Sequence, residues 1–262
     1  MSNNIFSGKR LQLLFKQNFI HNTQFLLLST VAYIGVIFII LSIAQVGNDL
    51  HPHRLDIFQG LLAALVTVFG ILYVGHSFPA FRAKESTIHY LMTPSSAFEK
   101  FVFEFINRIV LTLLILPLLY WITFNMQGYF FDIFMEEMFE PVGIQYLVKL
   151  DDIPPDYLSL MYALITGGVL FVLSLAFTGA AMFTKQPLVK SLFAVALVVM
   201  FFGGYSYILI EPLGVGRYNP PESMVLIPLE EERALVAVSI ALFAATIVML
   251  FVAYLKLKER EV

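Results

Sequence analysis

The chain contains no cysteine, and this absence removes several classes of chemistry. Disulfide bonds, thiolate-bound metal sites and cysteine nucleophiles are all excluded. Charged residues are also scarce, at 13% of the sequence, whereas a water-soluble domain carries about 25%. Because 59% of the residues are apolar, the chain has more apolar surface than a soluble core of this length can bury. Part of the chain must therefore be surrounded by lipid instead of water.

Three motifs that carry catalytic chemistry are missing. The phosphate-binding GxxxxGK[ST] loop is absent, so this chain does not itself have the sequence of a P-loop ATPase. HExxH and GxSxG are absent too, and no predicted span centre carries an acid–base or nucleophilic set. We therefore expect no enzymatic activity, no catalytic residue, no cofactor and no resident metal. A net charge of −3 gives no reason to expect a nucleic-acid partner.

What the sequence does contain is a series of apolar runs long enough to cross a bilayer. A spanning helix needs about 20 mainly apolar residues, because the hydrocarbon layer is roughly 30 Å thick. Residues 1–24 instead predict an amphipathic helix in the membrane interface. The predicted fold is an all-α polytopic membrane protein, a single transmembrane domain over residues 1–262. Its six spans are placed near residues 25–46, 57–78, 102–124, 158–183, 191–210 and 234–255.

The basic residues predict the orientation of these spans, because lysine and arginine accumulate in cytoplasmic connections. With the N-terminus inside, twelve of the 16 lysines and arginines lie on the cytoplasmic side. The remaining four lie outside, at Arg54, Lys149, Arg217 and Arg233. We therefore predict that both termini are cytoplasmic.

The cytoplasmic connection between the second and third spans, residues 79–101, carries the most information. Its apolar residues recur with helical spacing and charged residues lie between them, which predicts a short surface helix. Two interpretations stay open: an amphipathic connector resting on lipid headgroups, or a docking element for a cytoplasmic partner. The candidate partner-contacting residues are Phe81, Arg82, Lys84, Glu85, Ile88 and His89.

A sharp corner is predicted at the end of this connection. Thr93 precedes Pro94, which is typical of an N-cap followed by proline at the first helical position. A second helix is therefore expected to start at Thr93 and to continue through Glu99 and Lys100 into the third span. In the first turns of that span, a further acid and base stand four residues apart and can pair on one face. This pair, Glu104 and Arg108, is interpreted as an interfacial anchor in preference to a proton relay.

The connection also carries a family resemblance. The run YLMTPSSAFEKF at 90–101 is similar to a YLxLPAS…EKF signature in ABC (ATP-binding cassette) permeases of Bacteroidetes, with Thr93 in place of a leucine. The interfacial N-terminal helix, six spans and cytoplasmic termini resemble the permease half of type-2 ABC exporters. The outer connection, residues 125–157, is longer than is usual in that family.

The resemblance implies a mechanism and a set of partners. Two permease copies, or one copy and a related permease, would form a pathway at their interface in a bacterial inner membrane. A separate cytoplasmic ABC ATPase would drive the cycle, and the short helix at 81–91 would be the coupling helix that contacts it. The main rival is a membrane scaffold that holds a larger envelope complex and transports nothing. An intramembrane enzyme is the least favoured alternative.

Three further features stay open at the level of sequence. His51 and His53, near two aspartates, could hold Zn²⁺ or belong to a solvated loop, and we favour the loop. The acidic outer segment, residues 130–156, could gather cations or form a solvated face. Glycines in the fourth and fifth spans permit close helix approach, either within one chain or between two copies.

Overall fold

The computed structural model describes residues 6–46, 56–82, 87, 88, 90, 92, 93, 95–135, 141–149, 154–210 and 231–260, and within these residues the regular elements are all helical. The all-α prediction is therefore confirmed for the described residues. The α-helices are α1 (Gly8–Val46), α2 (Asp56–Val74), α3 (Ala97–Phe105), α4 (Leu111–Met135), α5 (Ile144–Val148), α6 (Pro155–Met182), α7 (Pro187–Ile210) and α8 (Glu231–Glu259).

Within the described residues, five helical stretches are long and apolar enough to cross a membrane, which supports a membrane-embedded, polytopic chain. They correspond to the first, second, third, fourth and sixth predicted spans. The fifth predicted span falls within α7, of which the described apolar run is Pro187–Leu197. The sixth crossing thus stays a prediction. The five stretches are Asn22–Gln45, Ile57–Val74, Ala97–Phe134, Tyr157–Met182 and Leu235–Glu259.

The N-terminal segment and the first span form one helix. We predicted a boundary near residue 24, but α1 runs without interruption from Gly8 to Val46. The composition changes along this helix from basic and amphipathic to apolar, while the backbone continues unchanged. At 1.5 Å per residue, its 39 residues extend about 58 Å, well beyond the hydrocarbon layer.

The third long helix, which consists of α3, a π-helical turn and α4, begins later and ends later than predicted. It starts at Ala97 with Ser96 as its N-cap, so the predicted start at Thr93 is wrong. The Thr93 hydroxyl instead donates to the carbonyl of Tyr90 at 2.6 Å, which closes the preceding turn. A π-helical turn over Ile106–Val110 joins α3 to α4. The helix then continues to Met135, so the first part of the predicted outer connection is helical.

The chain divides into two compact units. The first contains the described parts of Met1–Val74, Ile88–Ile153 and Leu257–Val262. Its apolar core is built by α1, α2, α4 and α5, and two tyrosine hydroxyls in it donate to main-chain carbonyls, Tyr33 to Leu116 and Tyr120 to Phe58. The buried core residues are Tyr33, Ile37, Leu41, Phe58, Leu65, Tyr120, Phe124 and Leu147.

The second unit contains the described parts of Gly75–Thr87 and Pro154–Lys256. Its closest helix pair is α6 and α7, which meet where Gly179 faces Ser191. The Thr178 hydroxyl donates to the carbonyl of Met249 at 2.9 Å, which ties α6 to α8. These contacts show that Gly179 serves packing within one chain.

Replacing Gly179 with alanine should therefore destabilise the second unit. The new Cβ would collide with the Cβ of Ser191, and overpacking of this kind costs about 1–3 kcal/mol. Thermal unfolding in detergent, read by circular dichroism, measures the change. Gly168→Ala in the same helix is the matched control, because nothing lies within 4 Å of the position of its added Cβ. Ser191→Gly should rescue Gly179→Ala, and a failure to rescue would contradict this packing.

Candidate functional site at the start of the third long helix

The first turn of α3 is fixed by a reciprocal capping box between Ser96 and Glu99. The Ser96 hydroxyl accepts from the Glu99 backbone N–H at 3.2 Å, and the Glu99 carboxylate accepts from the Ser96 backbone N–H at 2.9 Å. Two backbone donors that a helix N-terminus leaves unsatisfied are thereby paired. The Glu99 side chain is fully buried. A buried carboxylate at this position needs further partners.

Those partners come from the N-terminal segment, about ninety residues earlier in the chain. The other Glu99 carboxylate oxygen accepts from the backbone N–H of Ser7 at 2.6 Å. The same oxygen lies 3.1 Å from the Arg10 guanidinium, whose side chain is 31% exposed. One carboxylate therefore caps α3 and holds the first turn of α1 against it.

Two aromatic pairs reinforce this junction between α1 and α3. The rings of Phe6 and Phe98 meet edge to face with centroids 6.1 Å apart. Phe15 and Phe103 meet in the same way at 4.9 Å, nine residues further along the N-terminal segment and five further along α3. Edge-to-face pairs at these distances are favourable beyond the area they bury. The junction thus has a polar centre at Glu99 with aromatic contacts on either side.

Lys100 is the second charged residue of α3 and is almost completely buried. Its ammonium lies 4.9 Å from the centroid of the Tyr90 ring, within the range of a cation–π contact. Tyr90 belongs to the connection that precedes α3 in the chain. The contact therefore holds the end of that connection against the helix it leads into.

The π-helical turn carries a second charged pair. Arg108 lies 3.5 Å from the Glu104 carboxylate, so the predicted contact between these residues is confirmed. The guanidinium also lies 4.6 Å from the centroid of the Tyr73 ring, near the end of α2. The Tyr73 hydroxyl donates to the carbonyl of Asn107 at 3.4 Å, inside the π-helical turn. Turns of this kind occur often at functional sites.

The arrangement is suited to holding segments together. Its acids are Glu99 and Glu104, and its bases are Arg10, Lys100 and Arg108, so the cluster is close to charge balance. It contains no serine–histidine or cysteine nucleophile arrangement. The cluster is therefore a structural junction, which joins α1, α2 and the 90–100 segment to the third long helix.

The remaining predicted contact residues have different surroundings. Phe81 lies in a 3₁₀ turn, Pro79–Arg82, and is buried beside Phe78. The Phe81 ring is therefore not on the surface, whereas the side chains of Arg82 and Ile88 are exposed. Phe78 adopts a positive φ of 53°, which is strained for a bulky residue and is offset by burial of its ring against Phe177. Lys84, Glu85, His89 and Pro94 lie outside the described residues.

Sequence reasoning missed the partners of Glu99. The signal for the cap was present, because Ser96 and Glu99 form the S-x-x-E pattern of a capping box. No sequence signal joined Glu99 to Ser7 and Arg10, since the contact is formed only by the folded chain.

The predictions for the outer connections are largely outside the described residues. His51 and His53 fall there, as do most acids of the 130–156 segment. Among the residues that are described, no group of three or more histidine, aspartate or glutamate side chains could hold a metal ion. No protein-family description, curated protein or solved structure matches this chain.

Proposed function

We propose that this chain is the membrane-spanning permease subunit of an ABC transporter, of the exporter type, working with a separate cytoplasmic ATPase. It crosses the inner membrane six times with both termini in the cytoplasm, and it pairs with a second copy or a related permease. Support comes from the apolar helices, from the unequal distribution of lysine and arginine, and from the resemblance of residues 90–101 to ABC permeases.

The observation that carries the proposal is the junction at Glu99. It fixes the N-terminal end of α1 to the start of α3, next to the connection that resembles a coupling element. An ATPase that displaced this connection would therefore also move α1. Among the candidate contact residues that the structure describes, Arg82 and Ile88 are exposed, and the Arg82 guanidinium also donates to the carbonyl of Gly75 at 3.4 Å.

The central test is the reversal of two basic charges in the connection, Arg82→Glu together with Lys84→Glu. We expect the double variant to lose the copurifying ATPase, because like charges brought together at an interface cost several kcal/mol. Folding should be retained, since Arg82 is exposed and an exposed charge contributes about 0–1 kcal/mol to stability. The measurement is ATPase recovered with the purified chain, identified by its GxxxxGK[ST] motif, and its ATP turnover.

The matched control places the same charge change on the predicted outer side, Lys149→Glu with Arg217→Glu. This control should leave ATPase recovery and turnover unchanged at equal membrane levels. If the Arg82/Lys84 variant also leaves both unchanged, the coupling role is rejected. If the wild-type chain brings down envelope proteins and no ATPase, the scaffold becomes the better account of the chain.

A further inference from the structure

The segment from Val142 to Lys149 is firmly attached to the spanning helices. The Asn125 side chain pairs with Val142 in both directions, accepting from its backbone N–H at 2.9 Å and donating to its carbonyl at 3.1 Å. The indole N–H of Trp121 donates to the same carbonyl at 2.7 Å. Three hydrogen bonds therefore fix one residue of this segment to α4.

The other end of the segment is fixed to α2. The Gln59 amide donates to the carbonyls of Tyr146 and Lys149, at 3.0 and 2.7 Å. Between these attachment points, Leu147 of the short helix α5 is 1% exposed and belongs to the apolar core of the first unit. The segment thus bridges α2 and α4, and its position is set by side chains from both.

One side of α5 is apolar. Ile144 and Val148 lie there, one helical turn apart, and are 39% and 48% exposed. Gln145 is exposed opposite the buried Leu147, and Tyr146 is exposed on another side. The neighbouring surface of α4 is also apolar. Ile122 and Met126, which directly follow Trp121 and Asn125, are both exposed. The exposed face of α5 therefore continues the apolar outer surface of a spanning helix.

We propose that α5 is an interfacial anchor, and that the occupant of its exposed face is the lipid bilayer at the boundary between headgroups and acyl chains. The segment is attached within the first turn of α2, at Gln59, so it lies at the end of a spanning helix. Tyr146 and Trp121 are side chains that favour this depth, and the exposed Lys149 can extend toward the headgroups. The inference is independent of the proposed transport function.

The chemistry of the face favours lipid over a second copy of the chain. Only two aliphatic side chains share one face of α5, with the exposed Gln145 and Lys149 adjacent to them. This is a small apolar area with a polar edge, which is typical of a segment lying shallowly in the interface. The anchor would hold the first turn of α2 and residues 121–125 of α4 at a fixed depth in the bilayer.

The test uses the absence of cysteine, which makes single-cysteine variants simple to prepare. Ile144→Cys, Val148→Cys and Gln145→Cys are each labelled with a nitroxide and reconstituted into phosphatidylcholine vesicles. Collision rates are measured with oxygen, which concentrates in hydrocarbon, and with a water-soluble nickel chelate. The oxygen-to-nickel ratio at 144 and 148 should be severalfold higher than at 145. Fluorescence of Trp121, the sole tryptophan, reports whether the segment remains attached.

Two results would overturn the inference. Equal nickel accessibility at all three sites, with Trp121 emission unchanged, would place the attached segment in water. Spin–spin broadening at 144 and 148 that disappears when labelled protein is diluted with unlabelled protein would assign the face to a second copy. If one of the variants at 144 and 148 has altered Trp121 emission, the other, which lies on the same side of α5, supplies the ratio.

Discussion

Replacing Glu99 with alanine should release the N-terminal end of α1 and lower the free energy of unfolding by about 3 kcal/mol. A hydrogen bond to a charged group contributes about 1.5–3 kcal/mol. Two such bonds are lost, because this carboxylate accepts from Ser96 and from Ser7, while the Ser96 hydroxyl still accepts from the backbone N–H of residue 99. Denaturant unfolding in detergent measures the loss of stability. A nitroxide on Gly8→Cys, where the added Cβ meets nothing within 4 Å, should become more mobile.

Two controls separate the contributions to this effect. Arg10→Ala removes only the ion pair, which is partly exposed, so it should cost about 1 kcal/mol or less. Glu99→Gln keeps an oxygen that can accept from Ser96 but loses the charge, and it should fall between the two. If Arg10→Ala were as damaging as Glu99→Ala, the ion pair would be the main attachment and the backbone hydrogen bonds would be secondary.

Replacing Arg108 with methionine should also be strongly destabilising, by about 3 kcal/mol. The Glu104 carboxylate is 5% exposed and would lose its guanidinium, and breaking a buried pair from one side costs about 3–5 kcal/mol. We expect the lower end of that range because the Arg108 side chain is 11% exposed, so the pair is not completely buried. The contact with the Tyr73 ring would be lost as well. Thermal unfolding of the purified chain in detergent measures the change.

The matched control removes both charges, as Glu104→Gln with Arg108→Met. Because no uncompensated charge stays buried, this double variant should be more stable than Arg108→Met alone. Equal loss in both variants would mean that Arg108 acts through its contact with Tyr73 and not through Glu104. The comparison therefore distinguishes an ion pair from a cation–π contact as the main role of Arg108.

The helix content of the fold could be predicted from long apolar runs, but the helix ends could not. The predicted third span ended at Phe124, and the polar residues Asn125 and Gln127 follow it directly in the sequence. In the structure the helix continues through both residues, and their side-chain amides are hydrogen-bonded, Asn125 to Val142 and Gln127 to Gln45. A polar side chain is tolerated inside a buried helix when it is hydrogen-bonded, and its partner cannot be identified from the local sequence.

The start of the same helix shows a competition between two signals. Thr93 with Pro94 and Ser96 with Glu99 are both typical of a helix N-terminus. The second prevails, since its reciprocal hydrogen bonds satisfy two backbone donors and its carboxylate also binds Ser7. The pairing of Glu104 with Arg108 was predictable because it needs only helical spacing. The contacts of Glu99 with the N-terminal segment were not, because they depend on how distant parts of the chain pack.

The uninterrupted α1 has a mechanical consequence. A helix with no break between its basic N-terminal part and its apolar part behaves as a stiff rod, so a displacement at one end is carried to the other. For a rod of about 58 Å, a tilt of about 10° about one end moves the opposite end by roughly 10 Å. The N-terminal end is held at Glu99, and near the far end Gln45 accepts from Gln127 of α4. A displacement at the Glu99 junction is therefore carried along α1 to the contact between Gln45 and Gln127.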